Sequence, residues 1–355
     1  MIPNQVNVEK SPEGVVILDY NDILTNVDVS DAIEEAFGTH SYCLGIILIK
    51  NLPKDYAEKR TRLLRLASVF AALPEDIKNK TVHKESLYSF GWSCGKEVIG
   101  GKLDYLKGSY YANPNYDIPN ATPKQKLEFP MYCHPNIWPK DDLPEFEHAF
   151  KDLGCFIMDV AKLLARACDI FVSSRLPSAK QNYLEKIIME SHTTKARLLH
   201  YFPTQLKDDK STRDTRDSDE IEDSWCGWHV DHSSITGLTS AMYLNESDST
   251  FPEVQCPDPS SGLYIKTKSK KTVKVSIPKD YLAFQLGEAM QLASENNLLA
   301  TPHMVKGISS NVKSEIPINV ISRNTFAVFM HPPLDEMVGD ITFAEYSREM
   351  FRSHY

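Results

Sequence analysis

The feature that most restricts the fold lies in the second half of the chain. There, short runs rich in β-branched and aromatic residues recur between turn-forming segments. They are ARLLHYFP (196–203), SITGLTSAMYL (234–244), GLYIKT (262–267), KTVKVSIP (271–278), YLAFQLG (281–287), TPHMVKG (301–307) and NTFAVFMHP (324–332). Each run suits a strand and is short for a helix, and many short strands spaced by turns pack as a jelly roll or barrel. After Gly287 a turn and a second apolar run lead on to His303.

The first half reads differently. VVILDY (15–20) is a strand, and Ser30-Asp31 before AIEEAF is an N-cap opening a helix. GIILIKNLP (45–53) is a second strand, and KRTRLLRLASVFAAL (59–73) sets Leu63, Leu66, Phe70 and Leu73 on one helical face. Residues 85–140, rich in Gly, Tyr, Asn and Pro, are expected to form loops and short strands, with Trp92, Tyr110, Tyr111, Tyr132 and Trp138 either lining a site or packing as core. From Leu143 to Val172, Phe150, Leu153, Ile157, Val160, Leu164 and Ala167 recur at three- and four-residue steps, which predicts a long helix. The expected fold class is α+β. One domain over 1–355 would comprise a mixed helical and strand part (1–180) packed on a jelly-roll core (190–335), then a C-terminal helix (336–355).

Composition removes several function classes. Thirty-nine Lys+Arg against 48 Asp+Glu give a net charge of −9 with no basic run, which disfavours nucleic acid as a partner. The longest apolar stretches, Leu44–Ile49 and Cys155–Ala161, fall well short of the ~20 residues of a membrane helix, and the N-terminal stretch lacks the apolar segment of a secretory signal. Seven scattered cysteines without a CxxC pair argue against a disulfide framework, so a reducing, cytoplasmic setting is the default. A monomer acting on a small molecule is expected. The segment Lys207–Asp223, with 12 of 17 residues charged, reads as a solvated loop.

The chemistry concentrates in GWHVDHSSITGLTS (227–240). On a strand, residues two apart share a face, so His229 and Asp231 would present an imidazole and a carboxylate together. Alone, such a tripeptide is more often a packed histidine than a ligand. His303 supplies a third candidate, and two His with one carboxylate form the facial triad that leaves positions open on Fe(II). Zinc would accept the same groups, but no HExxH or Cys-rich cluster completes a zinc site. Downstream, Arg323 and Thr325 share a strand face, where a guanidinium and a hydroxyl can grip a carboxylate.

With these pieces in order, the chain resembles the iron- and 2-oxoglutarate-dependent oxygenases similar to isopenicillin N synthase and the plant flavonoid and hormone oxygenases. GIILIKNLP looks like that family's early strand, ASVFAALPEDIKNK like its "FF-x-LP-x-x-x-K" helix end, ARLLHYFP like its "NYYP" strand, and YLAFQLGEAMQLASENNLLATPHMV like its "NIGD…H-R-V" segment. The resemblance implies a double-stranded β-helix core, with His229, Asp231 and His303 binding Fe(II). It further implies that Arg323 and Thr325 bind the far carboxylate of 2-oxoglutarate, with O2 as second co-substrate. Thr325 stands for the usual Ser. His200 and Phe202 replace Asn and Tyr, so His200 is expected to face the metal and take part of the missing tyrosine's role. The segment between His303 and Arg323 is longer than usual, which suggests a lengthened hairpin. The expected reaction is hydroxylation, desaturation or oxidative cyclisation of a small organic molecule, as in natural-product biosynthesis, releasing succinate and CO2. Asp231 excludes the halogenating variants, which have a small residue there. Two other readings stay open: an iron oxygenase that does not use 2-oxoglutarate, and a cupin-like binding protein without turnover.

Overall fold

The computed structural model describes residues 8–96, 98–99, 102–203, 224–309 and 312–354, so the charged run Lys207–Asp223 lies outside the described residues. Strand β1 (Val16–Asp19) leads into α1 (Tyr20–Leu24), and α2 (Ser30–Phe37) precedes β2 (Ile46–Lys50). Ser30 is already helical, and the Ser30 amide instead donates to Asp28 Oδ1 at 3.0 Å. Helices α3 (Tyr56–Ala71) and α4 (Glu75–Asn79) follow, then β3 (Gly91–Cys94), β4 (Val98–Ile99), β5 (Lys102–Leu103) and β6 (Lys107–Ala112). Two short helices, α5 (Pro123–Glu128) and α6 (Pro130–Cys133), stand where loops and strands were expected. The reciprocal Thr122–Gln125 capping box and a Pro at the start nucleate α5. Helix α7 (Glu145–Arg175) is followed by α8 (Tyr183–Met189).

The second half is built of β7 (Lys195–Tyr201), β8 (Ser224–His229), β9 (Ile235–Thr239), β10 (Met242–Asn245), β11 (Glu253–Val254), β12 (Gly262–Lys266), β13 (Thr272–Val275) and β14 (Leu282–Leu286). After helix α9 (Glu288–Ala293) come β15 (His303–Lys306), β16 (Ile321–Met330), the hairpin β17 (Met337–Val338) and β18 (Ile341–Thr342), and helix α10 (Phe343–His354). The run SITGLTSAMYL is two strands because Arg60 on α3 reaches through and takes the carbonyls of Ser240 and Ala241 at 3.0 Å each, removing them from the ladder.

The strands form two main sheets. The larger has the order β1-β2-β14-β9-β16-β7-β6-β3, with β10 paired to both β16 and β11, and the smaller has the order β13-β12-β15-β8. Among the described residues all pairs in these sheets are antiparallel except β1 with β2. The two sheets face each other as a jelly roll. Between them lie Ile46, Leu48, Leu263, Ile265, Val275 and Ala283. The outer face of the large sheet is covered by α3 and α7, whose Phe70, Phe146, Phe150, Leu153 and Ile157 pack with Leu198, Phe284 and Phe326. Each such side chain contributes roughly 1.5–3 kcal/mol of burial. The large sheet is therefore apolar on both faces, which later decides how legible its strands are.

One expectation needs correction here, and one choice that was left open is decided. β15 and β16 do not form a hairpin: β15 pairs with β12 and β8, and β16 with β7, β9 and β10. The intervening chain crosses from the small sheet to the large one, pinned by Ile308, Ile318 and Ile321 in a cluster with Leu199 and Trp225. The aromatic residues of 85–140 do not form a lid. Trp92 and Tyr110 are buried against Phe70, Trp138 stacks on Tyr110 and packs edge-on to Phe150, and Tyr132 sits under Phe343.

Candidate metal centre

His229 ends β8, and Asp231 lies two residues beyond it, at the rim of the space between the sheets. His303 opens β15 and is the direct cross-strand partner of His229. The antiparallel register thus brings together two histidines 74 positions apart, with ring centroids 4.2 Å apart. Asp231 Oδ1 is 3.7 Å from His229 Nε2 and 3.6 Å from His303 Nε2. The three residues offer ligand atoms all within 4.8 Å of one another, and no other group of three or more such residues does so among the described residues. Side-chain exposure is 7% for Asp231 and 8% for His303 but 39% for His229, so the site opens on the His229 side.

Neighbouring groups turn these ligands inward. Thr236 on β9 donates its hydroxyl to Asp231 Oδ2 at 2.6 Å, leaving Oδ1 toward the histidines. His229 Nδ1 lies 2.7 Å from the Gly227 carbonyl and donates its proton there, which turns Nε2 toward Asp231 Oδ1. His303 Nδ1 is 2.6 Å from the Gln285 amide on β14. With the amide nitrogen on that side, Gln285 Oε1 is buried without a partner, whereas the half-turned amide lets Oε1 accept Nδ1–H of His303. The main chain is fixed as well: the Glu288 amide donates to Asp231 O at 2.8 Å, and the Gly287 amide to Ser234 O at 3.0 Å. A Cβ on Gly287 would stand 1.9 Å from Ser233 O, which is why only glycine fits there.

The charge states suit ligation. Burial resists ionisation of Asp231, but His303, His229 and the Thr236 hydroxyl outweigh it and hold the carboxyl below its ordinary range. Burial lowers His303, so its imidazole is neutral. Burial also pulls on His229, but the adjacent Cys226 sulfur and Asp231 raise it to about 9. A metal at this site would therefore displace a proton, and its affinity would rise with pH.

A cavity of about 120 Å³ extends from the triad between the sheets. Leu199, Leu238, Leu263, Ile277, Val305 and Phe329 give it largely apolar walls. Arg323 on β16, 8% exposed, also lines it, with Thr325 on the same face. The guanidinium lies 4.9 Å from the Tyr201 ring and 5.2 Å from the Trp225 ring, and its Nε and Nη1 are buried without a hydrogen-bond partner. A buried cation with two unused donors facing a cavity is shaped for an anion.

His200 does not face the metal, contrary to the expectation from the sequence. β7 pairs with β16 in the register Arg323↔Tyr201, Asn324↔His200 and Thr325↔Leu199, and cross-strand partners share a face. Tyr201 and Leu199 therefore line the cavity with Arg323. His200 points to the helical side, where its Nδ1 meets Asn324 Oδ1 at 2.8 Å and Asn324 in turn donates to the Leu64 carbonyl and Ser68 Oγ on α3. Phe202 stacks edge-on against His200. Sequence reasoning also missed Gln285, Thr236, Trp225 and Cys226, as well as Lys107 and Arg197, which line the cavity from β6 and β7. Thr236 alone carried a local signal, sitting five residues after Asp231.

No protein-family model and no curated protein sequence matches the chain. Solved structures do. A full-length Neurospora crassa protein, solved in complex with alpha-KG and thymine, superposes with a TM-score of 0.67 at 18% identity, over 98% of this chain and 100% of that one. A 2OG-Fe(II) oxygenase family protein from Caulobacter crescentus gives 0.66 at 17% identity, covering 96% and 99%. The dioxygenase for auxin oxidation from rice gives 0.57 at 13% identity, covering 96% and 95%. At these identities the likeness is one of architecture, and along nearly its whole length this chain has the α+β jelly-roll fold of the 2-oxoglutarate-dependent Fe(II) oxygenases.

Proposed function

We propose that this protein is an Fe(II)- and 2-oxoglutarate-dependent oxygenase acting on a small organic molecule. The observation that carries the reading is one cavity lined both by the His-Asp-His set and by a buried guanidinium, two of whose nitrogens have no hydrogen-bond partner among the described residues. The residues present fit the metal: the neutral imidazole of His303, the imidazole of His229 once its Nε2 proton is displaced, and one carboxylate oxygen converge, each held by a neighbour that fixes its orientation. Bound there, Fe(II) would supply the open coordination positions at which O2 is reduced as 2-oxoglutarate is decarboxylated to succinate and CO2.

The protein's part is positioning. Arg323 holds the far carboxylate of 2-oxoglutarate through Nε and Nη1, and Thr325 adds a hydroxyl on the same face. Tyr201 and Trp225 hold the guanidinium in place against their ring faces. The apolar walls keep water from the reacting centre and suit a compact, largely apolar substrate. Hydroxylation, desaturation and ring closure are all consistent with this geometry, since the outcome depends on which substrate atom the walls bring nearest the metal.

The test is oxygen uptake and succinate release by the anaerobically Fe(II)-loaded protein, with and without 2-oxoglutarate, using its slow turnover without substrate. The reading expects both signals to require 2-oxoglutarate and to vanish in Asp231→Ala, with the fold retained by circular dichroism. Oxygen uptake independent of 2-oxoglutarate would instead support an iron oxygenase of the other kind. No uptake from protein shown to bind Fe(II) and 2-oxoglutarate would support a binding protein.

A further inference from the structure

The metal-bearing turn is tied to the C-terminal helix through one phenol. Asp231 is followed by His232, and the Asp231 carbonyl accepts the amide of Glu288, the first residue of α9. Ser233 O and Ser234 O accept the amides of Ala289 and Gly287, so the turn 231–234 and the start of α9 form one hydrogen-bonded unit. Tyr346, from the first turn of α10, inserts its hydroxyl between the two side chains that flank Asp231. It donates to Glu288 Oε2 at 2.5 Å and lies 3.1 Å from His232 Nδ1. His232 Nδ1 and Glu288 Oε2 are themselves 3.7 Å apart, so both converge on the same phenol.

The direction of this chain follows from its members. The Glu288 carboxylate can only accept, so the Tyr346 hydroxyl gives its proton to Glu288, and its oxygen accepts from His232 Nδ1–H. Tyr346 itself is anchored. It is 6% exposed and packs with Tyr132, Phe343 and Ala289 in a cluster that joins α6, α9 and α10. Glu288 and His232 are 40% and 37% exposed, so the buried phenol is the anchored member of the three. Without it, Asp231 would keep its amide bond from Glu288 but lose the side-chain contact that holds that residue in place.

We infer that Tyr346 is a positioning residue of the metal site: from the C-terminal helix, through Glu288 and His232, it holds the turn so that Asp231 Oδ1 lies between the two Nε2 atoms. This inference rests on the proposed ligation by His229, Asp231 and His303. It assigns a role in that site to a helix that supplies none of its ligands. Orienting groups of this kind change metal affinity by about 10–100-fold when removed.

The test is Fe(II) titration of the full-length apo-protein under nitrogen, for wild type, Tyr346→Phe and Ser347→Ala, together with the apo-protein melting temperature of each. Ser347 is the neighbouring buried hydroxyl on α10 and bonds to Tyr132, at 3.1 Å, so it reports on packing of the helix without touching the turn. Tyr346→Phe is expected to weaken Fe(II) by about 10-fold. Ser347→Ala is expected to lower the melting temperature and leave Fe(II) affinity unchanged. Glu288→Ala combined with Tyr346→Phe should bind no more weakly than the worse single variant, because both break one linkage. Equal Fe(II) affinity for wild type and Tyr346→Phe would overturn the inference, as would an equal loss in Ser347→Ala. Failure of wild type itself to bind Fe(II) would instead overturn the ligand assignment on which it stands.

Discussion

Replacing Arg323 with Met removes the charge while keeping most of the side-chain volume, and the structure sets what should follow. The guanidinium is 8% exposed, two of its nitrogens have no hydrogen-bond partner among the described residues, and the faces of Tyr201 and Trp225 offset part of its desolvation. A buried unpaired charge costs several kcal/mol, and two cation–π contacts return about 1–2 kcal/mol each. Arg323→Met should therefore leave the apo-protein as stable as wild type or more so. With 2-oxoglutarate the sign reverses. A hydrogen bond to a charged group is worth about 1.5–3 kcal/mol, so losing even one should weaken 2-oxoglutarate by roughly 10–150-fold. The assay is anaerobic titration of 2-oxoglutarate into the Fe(II) protein, followed by its visible charge-transfer absorbance, alongside denaturant unfolding of the apo-protein. Unchanged 2-oxoglutarate affinity would refute the argument from the buried guanidinium. Strong destabilisation of the apo-protein would show that Arg323 is a structural cation with a partner of its own.

Two further outcomes follow from the same geometry. His200→Ala should cost about 1–3 kcal/mol in denaturant unfolding, because it leaves Asn324 Oδ1 buried and unpaired, yet should not change 2-oxoglutarate affinity; Tyr201→Leu should weaken 2-oxoglutarate several-fold by removing the ring under Arg323. His331 is buried, and desolvation, with Lys195 nearby, pushes its pKa from 6.5 down to about 3. Below pH 6.5 the unfolded chain then takes up a proton that the folded one refuses. Stability should fall with acidification by up to about 1.4 kcal/mol per pH unit from this group, and not at all above about 6.5. His331→Gln should flatten the dependence between about pH 6 and pH 4, read as unfolding free energy at each pH. Lys195, lowered by burial from 10.5 to about 7, acts in a separate window between those values and does not confuse the comparison.

What the sequence made legible depended on whether contrast existed for it to show. His229 and Asp231 are close in the chain, and His303 falls on a short strand whose alternation is clear, so the three side chains that converge could be picked out from order and spacing. The face of β7 could not. Six of its seven residues are buried, because one side meets α3 and α7 and the other lines the space between the sheets. Alternation therefore says only that His200 and Tyr201 point oppositely, and the direction is set by pairing with β16, a partner more than 120 residues away. The same limit hid Gln285, which looks like one polar residue in an apolar strand until β14 is seen beside His303. Tyr346 gave no signal at all, since its role depends on where the last helix docks. The split of SITGLTSAMYL came from Arg60, a residue of α3 with no sequence relation to it. The helices within 85–140 were masked by Pro and Asn, although the Thr122–Gln125 pair is a capping box in plain view.

The central claim is that His229, Asp231 and His303 together hold a metal ion at the mouth of the Arg323 cavity. It is tested most directly by Fe(II) titration of the apo-protein under nitrogen, for wild type and for Asp231→Ala. The account predicts a single Fe(II) per wild-type chain, tightening as pH rises and His229 gives up its proton, and a loss of binding by about 100-fold or more in Asp231→Ala while the circular dichroism spectrum is retained. Wild-type affinity and stoichiometry in Asp231→Ala would contradict it.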